Sequence, residues 1–448
     1  MAITVGPSTY FDPTRIGELD EPTAALVRRR IDVLGPAYRL FYERPLQIVR
    51  GEGCQLYDAD GVEYLDAYNN VPSVGHAHPR VVAAIAEQAA RLSTHTRYLH
   101  EGIVRYSEQL LATMPDEIGH VMYTCTGSEA GDLAMRIAKH ATGGTGVVVT
   151  RNAYHGVTTE MAALSPSLGG LGSLPPWVRV VAAPDASRVD TTGYAGLGDW
   201  FAAQVQAAID DLESSGIRFA AFVADGVFAS DGVHTDPRGF LAPVLDVVHR
   251  AGGLYVADEV QPGFGRTGDE LWGFARHGSA ETPFVPDLVV LGKPMGNGFP
   301  VAATAMRPEV AERFGRDMRY FNTFGGNPVA MAAAQAVLDV LRDEDLQENA
   351  RVVGDRLRDQ VRALDHASIA DVRGAGLFTG VELVHDDGTE DGDLTLAVVN
   401  ALQRRHVLVA TGGLHNNVLK VRPPLCFSDA DADRFVTELD AILTDLHA

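Results

Sequence analysis

From His76 onward the spacing of apolar positions switches back and forth between two periods. RVVAAIAEQAARL, GIVRYSEQLLATM and GDLAMRIAKHA repeat apolar residues every three or four positions, and between such stretches fall short apolar runs: GVVVT, FAAFVADGVF, GLYVADEV and DLVVLGK. The first spacing predicts amphipathic helices and the runs predict buried strands. Their alternation predicts a mainly parallel sheet covered by helices. Ahead of this region, Glu21–Leu34 reads as a helix, and QLYDADGVEYLDAY reads as two short strands turning at Asp60 and Gly61. After Asn327 and Pro328 an alanine-rich helix, VAMAAAQAVLDVLRDE, leads to two further helical segments and the strand-like VLKVRPPL.

The predicted class is therefore α/β. A large domain with a mainly parallel, mixed sheet is expected over residues 76–335, with a small α+β domain assembled from an N-terminal segment, 1–75, and a C-terminal part, 336–448. The length, 448 residues, exceeds what one compact core usually holds and supports two lobes. No internal repeat or low-complexity linker separates them, so a site between the lobes is expected.

Composition narrows the function classes. Lys and Arg total 37 against 59 Asp and Glu, a formal charge of -22, which works against phosphate backbones and anionic membranes and excludes nucleic acid as an expected partner. Cys54, Cys125 and Cys426 lie far apart and show neither paired nor metal-ligand spacing, so no disulfide framework and no metal is predicted, and a reducing cytoplasm suits them. The stretch MAITVGPSTYFDPTRIGELD has no basic start followed by an apolar run, and no uncharged apolar stretch of about 20 residues occurs. A cytoplasmic protein without a membrane span is the expectation.

In α/β sheets ligands bind beyond the carboxyl ends of strands, so polar residues that close an apolar run carry the candidate chemistry. DLVVLGK ends on Lys293, followed by Pro294 and the glycine-rich MGNGFP, which puts an amine at a strand end beside pliant backbone. GLYVADEVQ ends on Asp258, where ionisation in an apolar setting calls for a cationic partner. A protonated ring nitrogen would serve, and Gln261 could hydrogen-bond a ring hydroxyl. In CTGSEAGDLAMRIAKHA, Thr126, Gly127 and Ser128 open a helix whose first N–H groups suit an anion. Tyr154, after GVVVT, is an aromatic ring able to stack on a planar ligand. Each feature also has a plainer reading: a surface lysine, a loop ion pair, an ordinary N-cap, a core tyrosine.

Taken in order, these residues resemble the class III branch of the pyridoxal-phosphate-dependent aminotransferase family. The resemblance runs through GHAHP at 75–79, TGSEA at 126–130, YHG at 154–156, DEVQ at 258–261, GFGRTG at 263–268, LGK at 291–293, TFGGNP at 323–328 and RPPL at 422–425. It implies a fold type I (aspartate aminotransferase-like) enzyme with pyridoxal 5'-phosphate as cofactor. Gly127 and Ser128 would hold the cofactor phosphate, Tyr154 and Val260 would sandwich the ring, Asp258 would face its nitrogen, and Lys293 would anchor it covalently. Thr323 would reach the phosphate of a partner subunit's cofactor, which implies a homodimer with sites at the subunit interface. Departures are Cys125 and Thr126 in place of asparagine and serine, and Gly131 and Asp132 in place of asparagine and glutamate.

The family's amino-acid transaminases grip the substrate carboxylate with an arginine three residues before a C-terminal proline; here that position is Lys420, and Arg422 directly precedes Pro423. A lysine is a point charge and cannot form the bidentate fork, although it suits phosphate. The glutamate pair that neutralises that arginine in such enzymes falls on Asp225 and Ser230. NNVPSVGHAHP, STHTRYLH and NVLKVRPPLCF resemble the ethanolamine-phosphate phospho-lyases. That subgroup implies elimination of phosphate from O-phosphoethanolamine or a close phosphorylated amine, giving acetaldehyde and ammonia, with Lys293 moving the proton. Lys420, Arg422 and Arg97 are then the candidate phosphate ligands, and Asn69 and Asn70 candidate pocket residues, although ion pairs and turn roles would account for the arginines and asparagines equally. The alternatives are a class III aminotransferase acting on an ω-amine or amino acid, and a protein that binds the cofactor without turnover.

Overall fold

A computed structural model describes residues 9–447; the first eight residues of the stretch read for a leader lie outside the described residues. The helix Glu21–Leu34 begins where the Asp20 carboxylate accepts the Thr23 N–H at 3.0 Å and Pro22 occupies the first turn, and it stops at Gly35, which adopts a positive φ of 71°. It spans the predicted residues.

The large sheet has seven strands in the order His120–Thr124, Ala302–Met306, Leu288–Leu291, Leu254–Asp258, Phe219–Ala224, Gly146–Thr150, Val178–Val181. From Leu288–Leu291 to Val178–Val181 every neighbouring pair is parallel, and Ala302–Met306 runs antiparallel to both its neighbours. Strands such as Phe219–Ala224 and Gly146–Thr150 are buried along their whole length because helices cover both faces of the sheet. On one face Gly127–Thr142 packs Leu133, Met135 and Ile137 among Val147, Val223, Val256 and Val290. On the other, Phe201 of Leu197–Ser214 meets Phe222 edge-on at 6.1 Å, and Phe222 meets Tyr255 at 5.5 Å.

Two four-stranded sheets complete the chain. Ile48–Glu52, Gln55–Asp58 and Glu63–Asp66 form an antiparallel set, with the predicted turn at Asp60 and Gly61, and the C-terminal strand Val407–Leu408 joins it in parallel beside Glu63–Asp66. The other sheet, Ile369–Ala375, Phe378–Leu383, Val418–Val421 and Ala410–Gly412, is antiparallel throughout.

Two details depart from the sequence reading. After the alanine-rich helix Pro328–Asp343 come three long helices, Leu346–Arg362, Gly392–Arg404 and Asp429–His447, rather than two. The strand in VLKVRPPL ends at Val421, because Pro423 and Pro424 have no N–H for a ladder. Arg422 and Leu425 instead donate N–H bonds to Ala67 O (3.0 Å) and Ser73 O (2.7 Å), tying this segment to the N-terminal part. Among the described residues no helix is long and apolar enough to cross a membrane.

Phe222 is fully buried between both aromatic neighbours, so Phe222→Ala is expected to cost about 3–5 kcal/mol and to lower the thermal midpoint clearly. Differential scanning calorimetry checks this, and an unchanged midpoint would mean that the sheet face is not packed as described.

Candidate active site

Three adjacent parallel strands deliver three ionisable groups to one place. Phe219–Ala224 is followed by Asp225, Leu254–Asp258 ends on Asp258, and Leu288–Leu291 is followed by Gly292 and Lys293. Their carboxyl ends open on a cavity of about 200 Å³ lined by Gly127, Ser128, Tyr154, Asp258, Val260, Gln261 and Lys293, together with His155, Gly156 and Asp225. The first seven are predicted cofactor contacts; the last three had no assigned role.

Lys293 is held there by close backbone packing. A Cβ on Gly292 would stand 3.2 Å from Gly127 Cα, so only glycine lets this strand end abut the helix start. The ammonium is buried, which pushes its pKa down to about 8; Arg422 adds to the fall, while Asp258 and Asp225 oppose it. At neutral pH Lys293 therefore carries a far larger fraction of neutral, nucleophilic amine than an exposed lysine does. Its Nζ lies 5.9 Å from the centre of the Tyr154 ring.

Asp258 meets the cation acceptor–donor logic of its setting through a residue 103 positions earlier in the chain: His155 Nδ1 donates to Asp258 Oδ2 at 2.7 Å. Val260 N–H donates to Oδ1 at 3.1 Å. With Nδ1 facing a carboxylate, the proton of the imidazole belongs on Nδ1, and the buried Nε2 has no protein partner. The His155 backbone is itself fixed by the Ser165 hydroxyl, which accepts its N–H at 2.8 Å. Glu259, the other acid of the pair, points away from the cavity and accepts the N–H groups of Gly273 (2.7 Å) and Phe274 (2.8 Å).

The helix Gly127–Thr142 starts with a capping box. Thr126 Oγ1 accepts Glu129 N–H at 3.1 Å, and the Glu129 carboxylate accepts the N–H groups of Thr126 (3.0 Å) and Cys125 (2.9 Å). Two of the four departures from the family pattern thus serve the cap, Thr126 through its hydroxyl and Cys125 through its backbone N–H. The cap leaves the N–H groups of Gly127 and Ser128 without a protein acceptor among the described residues, at the positive end of a 16-residue helix. Ser128 Oγ accepts Val157 N–H at 3.0 Å, and the loop reaches it only because Gly156, at φ 140°, has no Cβ; one there would stand 2.5 Å from that oxygen.

Asp225 is anchored by the N–H groups of Val227 (3.0 Å) and Ala229 (3.1 Å), and burial, with Asp258 nearby, pushes its pKa up to about 6. Lys420 is not among the residues that line the cavity; it is buried, and its side-chain nitrogen forms no ion pair or hydrogen bond among the described residues. Burial first, then the charge of Arg422, lowers its pKa to about 7, and Asp225 and Asp231 work the other way. Asp231, one residue beyond the expected partner position 230, is held by Thr150 Oγ1 (2.6 Å) and Asn152 N–H (3.0 Å). Across the sheet, a Cβ on Gly412 would lie 2.6 Å from Lys420 Cε, so the missing side chain makes the room that the lysine occupies.

The remaining candidates fall elsewhere. Arg422 is buried and donates through Nη1 to Gln261 Oε1, with its guanidinium 4.5 Å over the Tyr68 ring. Asn69 donates from its backbone (2.9 Å) and side chain (3.0 Å) to Asp66, which also receives His76 Nε2 at 2.7 Å; Asn70 is buried with Nδ2 unpaired. Neither asparagine lines the cavity. Arg97 is exposed with its guanidinium 3.9 Å over the Phe321 ring, and Thr323 is exposed close by in the chain; both lie outside this chain's cavity.

His155, Asp225 and Asp231 were the residues that sequence reasoning left without a role. His155 stood in view inside YHG, but nothing in the letters links it to an acid on another strand.

Comparison with known proteins converges on one family. A family model described as aminotransferase class-III matches residues 41–443. The chain is 37% identical to ethanolamine-phosphate phospho-lyase homolog 1 of Caenorhabditis elegans, covering 94% of this chain and 93% of that one. It is 39% identical to an alanine–glyoxylate aminotransferase 2-like protein of Drosophila melanogaster, over 93% of this chain and 86% of that one. Among solved structures, a phospholyase from Arthrobacter in complex with phosphoethanolamine superposes with a TM-score of 0.87 at 39% identity, covering 94% of this chain and 99% of that one.

His155→Ala leaves the Asp258 carboxylate with Val260 N–H as its one remaining donor, and the loss of a buried charged hydrogen bond is worth about 1.5–3 kcal/mol. Retention of pyridoxal phosphate is expected to weaken about tenfold or more, read by equilibrium dialysis. Unchanged retention would refute the contribution of the pair.

Proposed function

We propose that this chain, which belongs to the class-III aminotransferase family and takes pyridoxal phosphate as its cofactor, is a phospho-lyase acting on O-phosphoethanolamine. The observation that carries this reading is Lys420, a buried ammonium with no protein counter-ion in contact, at the position where an arginine fork would hold a carboxylate. The 37% identical phospho-lyase homolog and the 39% identical phospholyase with bound phosphoethanolamine support it.

The cavity suits the cofactor on its own chemistry. The open N–H groups of Gly127 and Ser128 would take its phosphate, Tyr154 and Val260 its ring faces, the Asp258 carboxylate its ring nitrogen, and Lys293 its aldehyde. When bound, the cofactor supplies a cationic ring that draws electrons from the carbon next to the substrate nitrogen. Asp258, oriented by His155 and Val260 N–H, is the anion that keeps the ring nitrogen protonated. Arg422 holds Gln261 in place beside it.

Lys293 then has the second task of taking the proton from the nitrogen-bearing carbon, and a depressed pKa of about 8 suits a base for that step. Phosphate leaves from the neighbouring carbon, where Lys420 meets the growing negative charge. With one water the products are acetaldehyde, ammonia and phosphate. Exposed Thr323 and Arg97 are assigned to the site of a partner subunit in a homodimer. Three free cysteines support a cytoplasmic setting.

A second reading, amino transfer to a keto acid, draws on the 39% identity to the alanine–glyoxylate aminotransferase 2-like protein. Cofactor-loaded protein given O-phosphoethanolamine without a keto acid separates the two: free phosphate and acetaldehyde are expected. Their absence, with amino transfer to pyruvate or 2-oxoglutarate, would overturn the lyase reading. Lys420→Met is expected to lower kcat/KM for O-phosphoethanolamine by about 100-fold or more, the usual cost of losing one charge-stabilising donor.

The Lys293 amine must be neutral to bond the cofactor aldehyde, and its folded pKa lies below the ordinary lysine value. The rate at which apoprotein captures pyridoxal phosphate should therefore rise with pH and level off above about 8. Stopped-flow absorbance measures it; a rate still climbing through pH 10 would show an unperturbed lysine.

A further inference from the structure

Cys54 and Cys426 are 372 positions apart in the chain, yet their sulfurs stand 3.4 Å from each other, in contact as two thiols. Cys54 is 5% exposed and Cys426 half-buried, so solvent and small oxidants reach the pair from the Cys426 side. Both backbones are fixed. Cys54 sits in the turn between Ile48–Glu52 and Gln55–Asp58, where Cys54 O accepts Asp66 N–H at 2.8 Å and Gly53 exchanges N–H···O bonds with His76. Cys426 lies between Leu425 and Phe427, whose carbonyls both accept Asn349 Nδ2, at 2.7 and 3.0 Å. Gly75 keeps the space clear, since a Cβ there would stand 3.0 Å from Cys426 Sγ. A thiol contact held from both sides in this way is a juxtaposition that folding sets up in the reduced protein.

We propose that Cys54 and Cys426 form a reversible oxidation site, closed to a disulfide by peroxide, that ties the N-terminal hairpin to the segment carrying Arg422. Cys426 is the attacking sulfur. It is the more exposed of the two, and the hydrogen bond shared by the two thiols holds Cys426 below the ordinary value while raising Cys54. In the first step the Cys426 sulfur takes one oxygen from hydrogen peroxide, giving a sulfenic acid and one water. In the second, the Cys54 sulfur displaces the hydroxyl from Cys426, forming the S–S bond and releasing a second water. The two thiols lose two electrons and two protons, and the peroxide gains both. A dithiol reductant reverses the change by exchange. The third cysteine, Cys125, has no thiol partner among the described residues and is the internal control.

Cofactor-loaded protein treated with hydrogen peroxide and digested without reduction tests this directly. Expected are a cross-linked peptide pair carrying Cys54 and Cys426 within one chain, a fall in titratable thiols from three to one, and full recovery with dithiothreitol. Oxidised wild type should unfold at a higher temperature than reduced wild type. Cys125→Ser should keep the cross-link and the shift. Cys54→Ser should lose both and leave a Cys426 sulfenic acid that dimedone traps. A thiol count that stays at three, a cross-link through Cys125 or between two chains, or an unfolding temperature that rises equally in Cys54→Ser would each overturn the proposal.

Discussion

Everything at the site follows from placing charge at the ends of buried parallel strands. Asp225, Asp258 and Lys293 end three adjacent strands whose ladders fix their positions, in surroundings that disfavour ionised groups. The consequences appear as a set of displaced pKa values: Asp225 up to about 6, Lys293 down to about 8, Lys420 down to about 7. Asp258 takes an imidazole on one oxygen and a backbone N–H on the other. The requirements reach outward from there. His155 can reach Asp258 only because the 154–156 loop folds against the helix start, and that fold needs Gly156 against Ser128. The helix start packs closely against the strand end because Gly292 has no side chain, a Cβ there standing 3.2 Å from Gly127 Cα.

The choice of cation is what distinguishes this cavity. Two positive side chains, Lys420 on the strand Val418–Val421 and Arg422 just beyond it, act on the charge of Lys293 without lining the cavity, and they are not equivalent. The Arg422 guanidinium is already committed, to Gln261 at one nitrogen and to the Tyr68 ring at its face, so it orders the wall. Lys420 is committed to nothing within contact distance, and two carboxylates, Asp225 and Asp231, supply only field. On the proposed lyase reading, that positive charge is available to a departing phosphate. A planar fork would hold a carboxylate in place, the task of an enzyme that must return a proton to its substrate rather than expel a group.

Most of the fold was legible because it rests on local regularities. The helix expected around Glu21–Leu34 is found there, and the buried strands of the large sheet stood out as apolar runs. Lys293 and Asp258 were legible for the same reason, since a polar residue closing an apolar run marks a strand end. What could not be read was any pairing between distant segments. His155 and Asp258, Lys420 and Asp231, Gln261 and Arg422, Cys54 and Cys426 are each brought together by the packing of elements far apart in the chain. The cysteines make the point most sharply: wide spacing in sequence argued against any pairing, but spacing constrains only local motifs, and the sulfurs meet. The helix count after Asp343 fell short by one, since Leu346–Arg362, Gly392–Arg404 and Asp429–His447 all follow it.

The two ends of the chain are interlocked beside the cavity, and this bears on why the substrate side differs from the cofactor side. The residues that line the cavity come from the seven-stranded sheet, the helix Gly127–Thr142 and the loops beside them, with Gln261 held by Arg422 from the C-terminal segment. Lys420 pairs in its own sheet with Gly380 and Ala410, whereas Arg422 and Leu425 bond Ala67 and Ser73. Any change in how the N-terminal hairpin sits is therefore passed to Arg422 through its own backbone bond to Ala67, and through Gln261 to the ring site.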